Sequence, residues 1–186
     1  LWDLHVHLMY AGHPDVRYWF DTYTPQFERV IMPASAEQML MAGVTTVRDL
    51  AAPLPPILAV RERIARGEIP GPTVYVAGPA LTKGANPNAV QTWNVSGAAD
   101  AKAKTRQLID AGVDWIKVFG SRGSYEVVDG TQTVSFEEMK SIVDAAHAAL
   151  QLDGPLRLRL GDPAHQEHDA ALGHHLDRVR REVARA

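Results

Sequence analysis

Short apolar runs alternate with longer stretches of helical periodicity along the first 149 residues. The apolar and β-branched runs predict strands at 1–8, 44–50, 73–77 and 114–119. Between and after them, the spacing of apolar positions predicts helices beginning near residue 35, over 55–67, over 98–111 and from residue 136. An alternation of strand and helix is typical of parallel strands joined by crossover helices.

Two of these helices begin with the spacing of a capping box. Ser35 would cap one helix with Gln38 in its first turn, and Ser135 would cap another with Glu138. The stretches 9–34, 78–97 and 120–134 show no continuous pattern, and we expect long loops there. The aromatic residues of the first loop argue against disorder and favour a loop that packs on another part of the protein.

The three expected loops all follow the carboxyl ends of strands, whereas the joints from helix to strand are short. The sequence Ala-Gly-Val makes such a joint at 42–44 and again at 111–113. This asymmetry is typical of a (β/α) barrel, although an open doubly wound sheet has the same rhythm. No G-x-G-x-x-G follows a strand, which counts against a dinucleotide-binding sheet. We therefore predict an α/β fold, a partial (β/α)8 TIM-type barrel with its first four or five βα units.

The pattern changes after residue 149. Residues 156–160 alternate Leu and Arg, whereas a buried barrel strand is nearly continuous in apolar residues. The remainder is rich in His, Asp and Arg and is typical of a polar helix. We predict a barrel part over 1–149 and an atypical polar tail over 150–186. A truncated gene product, a shifted reading frame and a diverged end all remain open as its origin.

The composition is that of an ordinary globular protein, and 186 residues suffice for one domain with a core. A net charge of -3 without a basic run excludes general attraction to nucleic acid, and no apolar run approaches the roughly 20 residues of a membrane span. Cysteine is absent, so a metal must be held by His, carboxylate or a modified side chain. The chain starts at Leu1 rather than Met, which is compatible with a missing N-terminus; we favour a cytoplasmic location.

Two histidines, His5 and His7, lie in the first predicted strand. Because a strand has period two, both side chains would project from one face, about 6.5 Å apart. Neutral imidazole is the commonest protein ligand for zinc, so the pair could converge on one metal ion. A half-buried strand whose histidines only form hydrogen bonds has the same pattern, and the residues alone leave both interpretations open.

Four motifs together resemble the metal-dependent amidohydrolase superfamily, in particular its prolidase-like and imidazolonepropionase-like members. They are LWDLHVHL at 1–8, MAGVTTVRD at 41–49, RGEIPGP at 66–72 and DAGVDWIK at 110–117. The resemblance covers residues 1 to about 149, the N-terminal part of the family's barrel. It implies hydrolysis of C–N bonds with one or two divalent metal ions, most often zinc, which polarise the carbonyl and activate a water molecule.

The same resemblance implies site residues. His5 and His7 would bind the first metal, and Lys117 falls where this branch carries a lysine modified by CO2 to a carbamate, a further metal ligand. From the residues alone, Lys117 could instead extend from a strand end towards solvent. An unpaired lysine in so apolar a run is costly, which favours a ligand or ion-pair role.

Two further residues are candidates for contact with a small amide or dipeptide substrate. His13 lies in the first expected loop, where an ordinary loop role is the alternative. Arg48, next to Asp49, ends the second strand on the side where a barrel builds its active site. A pairing role and a substrate role are equally open for Arg48.

The resemblance also implies a histidine after each of strands 5 and 6 and an aspartate ending strand 8, and we assign none of these here. The catalytic group therefore stays unknown. We expect a metal-dependent hydrolase that is incomplete as a stand-alone chain, or a catalytically inactive metal-binding barrel fragment. An unrelated open α/β protein would hold no metal. An open sheet edge would also favour pairing with a second copy, hence a homo-oligomer.

Overall fold

The computed structural model describes residues 1–10, 12–84, 89–121 and 130–152, and the structural statements below concern these residues. The chain divides into two units, Leu1–Ala149 and Leu150–Ala186. Of the predicted tail over 150–186, residues 153–186 lie outside the described residues, as does most of the third expected loop. The division into a barrel part and an atypical tail stays a prediction.

Strands and helices alternate along the described chain, except that three strands over 73–94 follow one another without an α-helix between them. The strands are β1 Trp2–Val6, β2 Thr46–Asp49, β3 Thr73–Val76, β4 Ala80–Thr82, β5 Thr92–Asn94 and β6 Val118–Phe119. The helices are α1 Val16–Tyr23, α2 Met32–Met41, α3 Leu54–Ala65, α4 Gly97–Asp110 and α5 Phe136–Leu152. Shorter turns complete the path, two of them 3-10 helical at Thr24–Gln26 and Ala89–Gln91 and one π-helical at Phe27–Ile31.

The strands form two three-stranded sheets, and each pair of these strands is parallel. The first sheet has the order β1-β2-β3, and the second has β5-β4-β6. Parallel pairing confirms what the alternation of elements predicts, because the intervening helices carry the chain back to the start of the next strand. The described strands do not close into a barrel. They confirm the predicted α/β class, and barrel closure stays a prediction.

The prediction of a long loop over 9–34 is wrong. This stretch contains α1, the two following helical turns and the beginning of α2. Its aromatic residues stabilise these turns, since Trp19, Phe20 and Phe27 are buried in the core below the first sheet. Ser35 is consequently not a helix cap, because α2 begins at Met32, directly after the π-helical turn Phe27–Ile31, with Pro33 in its first turn.

The prediction of a long loop over 78–97 is also wrong, because this stretch contains β4 and β5. The chain bends between β3 and β4 at Gly78, whose φ of 65° lies in the left-handed region. A Cβ atom at Gly78 would lie 2.8 Å from Leu54 Cδ1, so the side chain of Leu54 would have to shift for any other residue there. All three residues of β4 are buried, which a loop could not sustain without strand pairing.

The fourth predicted strand, 114–119, is shorter than expected and is regular only in β6. Asp114 and Trp115 both donate their backbone N–H to Val76 O, and the Asp114 carboxylate accepts from Val76 N at 2.8 Å. Arg61 pairs with the same carboxylate at 3.2 Å. These bonds attach residues 114–115 to the end of β3, so the ladder begins only afterwards.

The second capping box is confirmed. Ser135 Oγ accepts from Glu138 N at 3.2 Å, and Glu138 Oε2 accepts from Ser135 N at 2.8 Å. This reciprocal pair satisfies two N–H groups at the beginning of α5.

The core lies between each sheet and its helices. One cluster joins Val6, Val47 and Val76 to α1–α3, and another surrounds Leu81 and Leu108. On β1, however, Trp2 and Leu4 are 57% and 52% exposed, so the outer face at the start of this edge strand has no cover from the described residues. No helix in the described ranges combines the length and apolar character needed to cross a membrane.

Candidate metal centre

The two histidines of the first strand come together at the carboxyl end of β1. The ring centroids of His5 and His7 are 5.3 Å apart, with the planes inclined at 68°. His5 is exposed and His7 is half-buried. The period of two along the strand predicted that the two imidazoles lie near each other, and they do lie side by side at the same end of β1.

The ring of His7 has a fixed orientation. Its Nδ1 lies 3.2 Å from the carbonyl oxygen of Ala51, beyond the end of β2. A carbonyl can only accept, so this hydrogen bond requires the proton on Nδ1 and leaves the lone pair on Nε2. The ring of Tyr10 packs edge-on at 5.6 Å and limits rotation. Such an arrangement is typical of imidazoles that bind metal through Nε2.

The surroundings of His7 also favour its neutral form. Burial lowers the pKa of His7 below its ordinary value, and the positive charges of His5 and Lys117 lower it further. The hydrogen bond to Ala51 opposes this change without reversing it. The neutral ring is the form that a metal ion would bind.

Lys117 immediately precedes β6. Its backbone oxygen accepts from Leu81 N at 2.8 Å, which fixes the backbone, and its Nζ lies 5.3 Å from the ring centroid of Phe119. The charge of Lys117 affects the pKa of His7, so the lysine lies within electrostatic range of the pair. The three predicted ligands thus share one region of the structure.

These residues fit a metal as part of a ligand set. Two imidazoles, one with Nε2 available, and a nearby amine provide the donor types of a zinc or related site. Within the described ranges, no three His, Asp or Glu side chains form a group that could hold a metal ion. A complete ligand set therefore needs Lys117 as a modified ligand, or groups from outside these ranges.

A buried carboxyl beneath His7 is a feature that the sequence did not single out. Asp49 is fully buried, and its oxygens accept from Leu8 N at 2.8 Å and Ala51 N at 3.2 Å. Burial raises the pKa of Asp49 to about 7, against the two N–H groups, which lower it. The available signal was an acidic residue ending an apolar strand.

Arg48 has the contacts of a pairing role. Its Nε donates to Leu4 O at 2.7 Å, and its guanidinium carbon lies 4.7 Å from the ring centroid of Trp115. The guanidinium therefore ties β2 to β1 and stacks on the segment before Lys117. Its substrate role stays a prediction.

His13 is held in a local turn at the beginning of α1. Its Nδ1 accepts from Asp15 N at 3.0 Å, and its ring stacks on Trp19 with centroids 6.1 Å apart. Among the described residues, none of its hydrogen bonds or ring contacts reaches His5 or His7. A substrate contact for His13 also stays a prediction.

Parallel strands alternating with helices, with paired histidines at the end of the first strand, are features of an amidohydrolase. The sequence model of the amidohydrolase family matches residues 1–181, and the chain belongs to this family. The match includes most of the residues after 149. A comparison with curated protein sequences finds no match.

Solved structures with the same fold include three hydrolases. A prolidase complexed with N-methylphosphonate-L-proline superimposes with a TM-score of 0.66 at 22% identity, and a Xaa-Pro dipeptidase with bound methionine with 0.61 at 22%. The ochratoxinase of A. niger gives 0.62 at 24%. Each alignment covers 80% of this chain but only 40% of the other, so the chain spans well under half of these proteins.

Proposed function

We propose that this chain supplies the metal-binding, amino-terminal part of a hydrolase that cleaves C–N bonds in small amides, dipeptides or cyclic amides. The observation that carries the proposal is the orientation of His7, whose Nδ1 contacts Ala51 O beside the ring of His5. Membership of the amidohydrolase family, which is generally metal-dependent, supports the same reading.

His5, His7 and Lys117 are the residues that would hold one or two divalent ions, with zinc expected. Lys117 would first add its neutral amine to CO2 and lose a proton, giving a carbamate anion with two oxygen donors. The chemistry that a bound ion supplies is Lewis acidity towards a carbonyl and a lowered pKa for water. The burial that keeps His7 neutral serves this binding, since a protonated ring would compete with the ion.

A dipeptide is the substrate class that the comparisons favour, since two similar structures are named as a prolidase and a Xaa-Pro dipeptidase. We retain His13 and Arg48 as the residues proposed for substrate contact. For Arg48, the support is its position on the strand beside His5. Binding of substrate there would have to accommodate the contact of Arg48 with Trp115.

The alternative is a catalytically inactive metal-binding fragment. It is favoured by the limited span of the chain, 40% of the similar structures, and by the lack of a third His, Asp or Glu ligand in the described ranges. In either case β1 is an edge strand of its sheet, and we propose that further barrel strands or a second copy of this chain cover it.

The first experiment measures metal per chain by elemental analysis of the purified protein, with and without added zinc and bicarbonate. We expect about one or two ions per chain. The His5→Ala/His7→Ala double variant should lose them, whereas His147→Ala, at an exposed histidine of α5, should retain them. A folded wild-type protein without metal would refute the proposal. Hydrolysis of dipeptides and cyclic amides by the loaded protein then separates an active hydrolase from an inactive fragment.

A further inference from the structure

We propose that Asp49 is a positioning residue for His7. Its buried carboxyl holds the backbone on both sides of the imidazole, so that His7 Nδ1 keeps its proton and donates it to Ala51 O, which leaves the lone pair on Nε2. The inference rests on the proposed function, because it takes His7 to be a metal ligand.

The contacts form a closed path around the ring. Asp49 Oδ2 accepts from the N–H of Leu8, the residue directly after His7, at 2.8 Å. Asp49 Oδ1 accepts from the N–H of Ala51 at 3.2 Å. The carbonyl of Ala51 then lies 3.2 Å from His7 Nδ1. A single carboxyl therefore fixes both the chain that carries the imidazole and the group that orients it.

The strand ladder explains why a side chain is needed here. The pairing of β1 and β2 reaches Val6 and Asp49, and its last bond is from Leu50 N to Val6 O at 3.1 Å. Past this point, Leu8 N and Ala51 N point at Asp49 instead of at a carbonyl of the opposite strand. Asp49 thus replaces the ladder where the two chains leave the sheet.

A carboxylate suits this position, because each of its two oxygens accepts from a different backbone donor. Leu8 and Ala51 both present N–H donors, and a carboxylate can accept from both. An asparagine side chain offers one oxygen and an NH2 group, so one of the two backbone donors would face another donor. Because the site is fully buried, water cannot replace the missing acceptor without opening the core.

A purely structural role makes a different prediction. If Asp49 only supported the end of the sheet, its loss would lower stability and leave the ring of His7 unchanged in the molecules that remain folded. Val47 provides the matched control: it is fully buried two residues earlier on β2, and its side chain forms no hydrogen bond with the backbone near His7.

The test compares Asp49→Asn and Val47→Ala with the wild-type chain. The tautomer of His7 is read from the 15N resonances of the metal-free protein, assigned by their loss in His7→Gln. Zinc affinity is measured by competition with a chelator, corrected for the folded fraction. We expect a single Nδ1–H tautomer in the wild type and in Val47→Ala. Asp49→Asn should show mixed tautomers and about 10–100-fold weaker zinc binding.

An unchanged tautomer and unchanged zinc affinity in Asp49→Asn would overturn the inference and leave the proposed function intact. A tautomer change in a protein that binds no zinc even as the wild type would instead refute the proposed function and retain the positioning role. If Asp49→Asn does not fold, Asp49→Glu is measured in the same way. Its carboxyl is displaced by one methylene and should mix the tautomers; an unaltered ring would overturn the inference.

Discussion

The carboxylate of Glu138 connects the end of β4 with the beginnings of helices α4 and α5. Its side chain is 1% exposed and accepts from Lys83 Nζ at 2.9 Å, from Gly97 N at 2.7 Å and from Ser135 N at 2.8 Å. Lys83 follows β4, Gly97 begins α4 and Ser135 precedes α5. Replacing Glu138 by glutamine removes the charge and one acceptor oxygen with little change in volume.

The contribution of Glu138 to the free energy of unfolding follows from its pKa. The hydrogen bond from Lys83, and then the one from Ser135, lower this pKa from 4.5 to about 2, while burial acts in the opposite direction. At about 1.36 kcal/mol per pKa unit, this difference corresponds to at most about 3 kcal/mol. Solvent weakens the contribution of Lys83, whose side chain is 47% exposed. We expect Glu138→Gln to lower the free energy of unfolding by about 2 kcal/mol at pH 7.

The effect should depend on pH with a defined sign. The pKa of Glu138 is lower in the folded than in the unfolded chain, so its stabilisation is complete above about pH 4.5 and is lost as the pH falls towards about 2. The difference between the wild type and Glu138→Gln should therefore be larger at pH 7 than at pH 3.

Urea unfolding followed by circular dichroism measures this difference at both pH values. Glu137→Gln is the matched control, because Glu137 is the preceding residue of α5 and is exposed. We expect it to change stability by less than about 0.5 kcal/mol. Equal effects of the two substitutions, or a Glu138 effect that is the same at pH 3 and pH 7, would refute the reasoning.

Two further predictions concern the first sheet. Gly78→Ala should destabilise the protein by about 3 kcal/mol, because it adds a clash with Leu54 to a left-handed backbone. Gly43→Ala is the control, because Gly43 also has a positive φ but a Cβ atom there would meet open space; it should lower the stability by about 1 kcal/mol. Both variants are measured by thermal unfolding, and equal losses of stability would exclude the clash. Burial raises the pKa of Asp49 from 3.8 to about 7, so wild-type stability relative to Asp49→Asn should fall as the pH rises from about 4 to about 7. A difference in urea unfolding that is the same at pH 4 and pH 8 would contradict it.

The elements that the sequence predicted well depend on local signals. Strands β2 and β3 lie within the predicted runs because β-branched residues favour a pleated, buried strand whatever surrounds it. Helix α3 begins one residue before Pro55, which suits a first helical turn, and ends near Gly67. In each case the residues that specify the element lie inside it or next to it.

The errors over 9–34 come from prolines whose meaning depends on context. A proline in the interior of a helix interrupts it, yet Pro25 and Pro33 each occupy the first turn of a helical segment. The helices around them are stabilised by burial of Trp19 and Phe27, a tertiary effect. Sequence spacing alone does not distinguish a proline that ends a helix from one that begins it.

The sequence predicted that His5 and His7 lie together, and it did not predict the orientation of the His7 ring. Period two places His5 and His7 together, and the family motifs add Lys117. The orientation of His7 depends on Ala51, 44 residues away, and therefore on the register of β1 against β2. For the same reason, the sequence grouped Asp49 with Arg48, whereas the structure directs Asp49 under His7 and Arg48 towards Trp115.

The two buried carboxyls, Asp49 and Glu138, hold segments outside the strands in place. Asp49 accepts backbone N–H groups where the ladder of β1 and β2 ends, and Glu138 accepts them at the beginnings of α4 and α5. Burial raises the pKa of Asp49, while the hydrogen bond from Lys83 lowers that of Glu138. The contacts that orient His7 all lie within residues 7–51. The orientation of His7 is therefore set by β1, β2 and their loops, so zinc binding by this chain tests the proposed site directly.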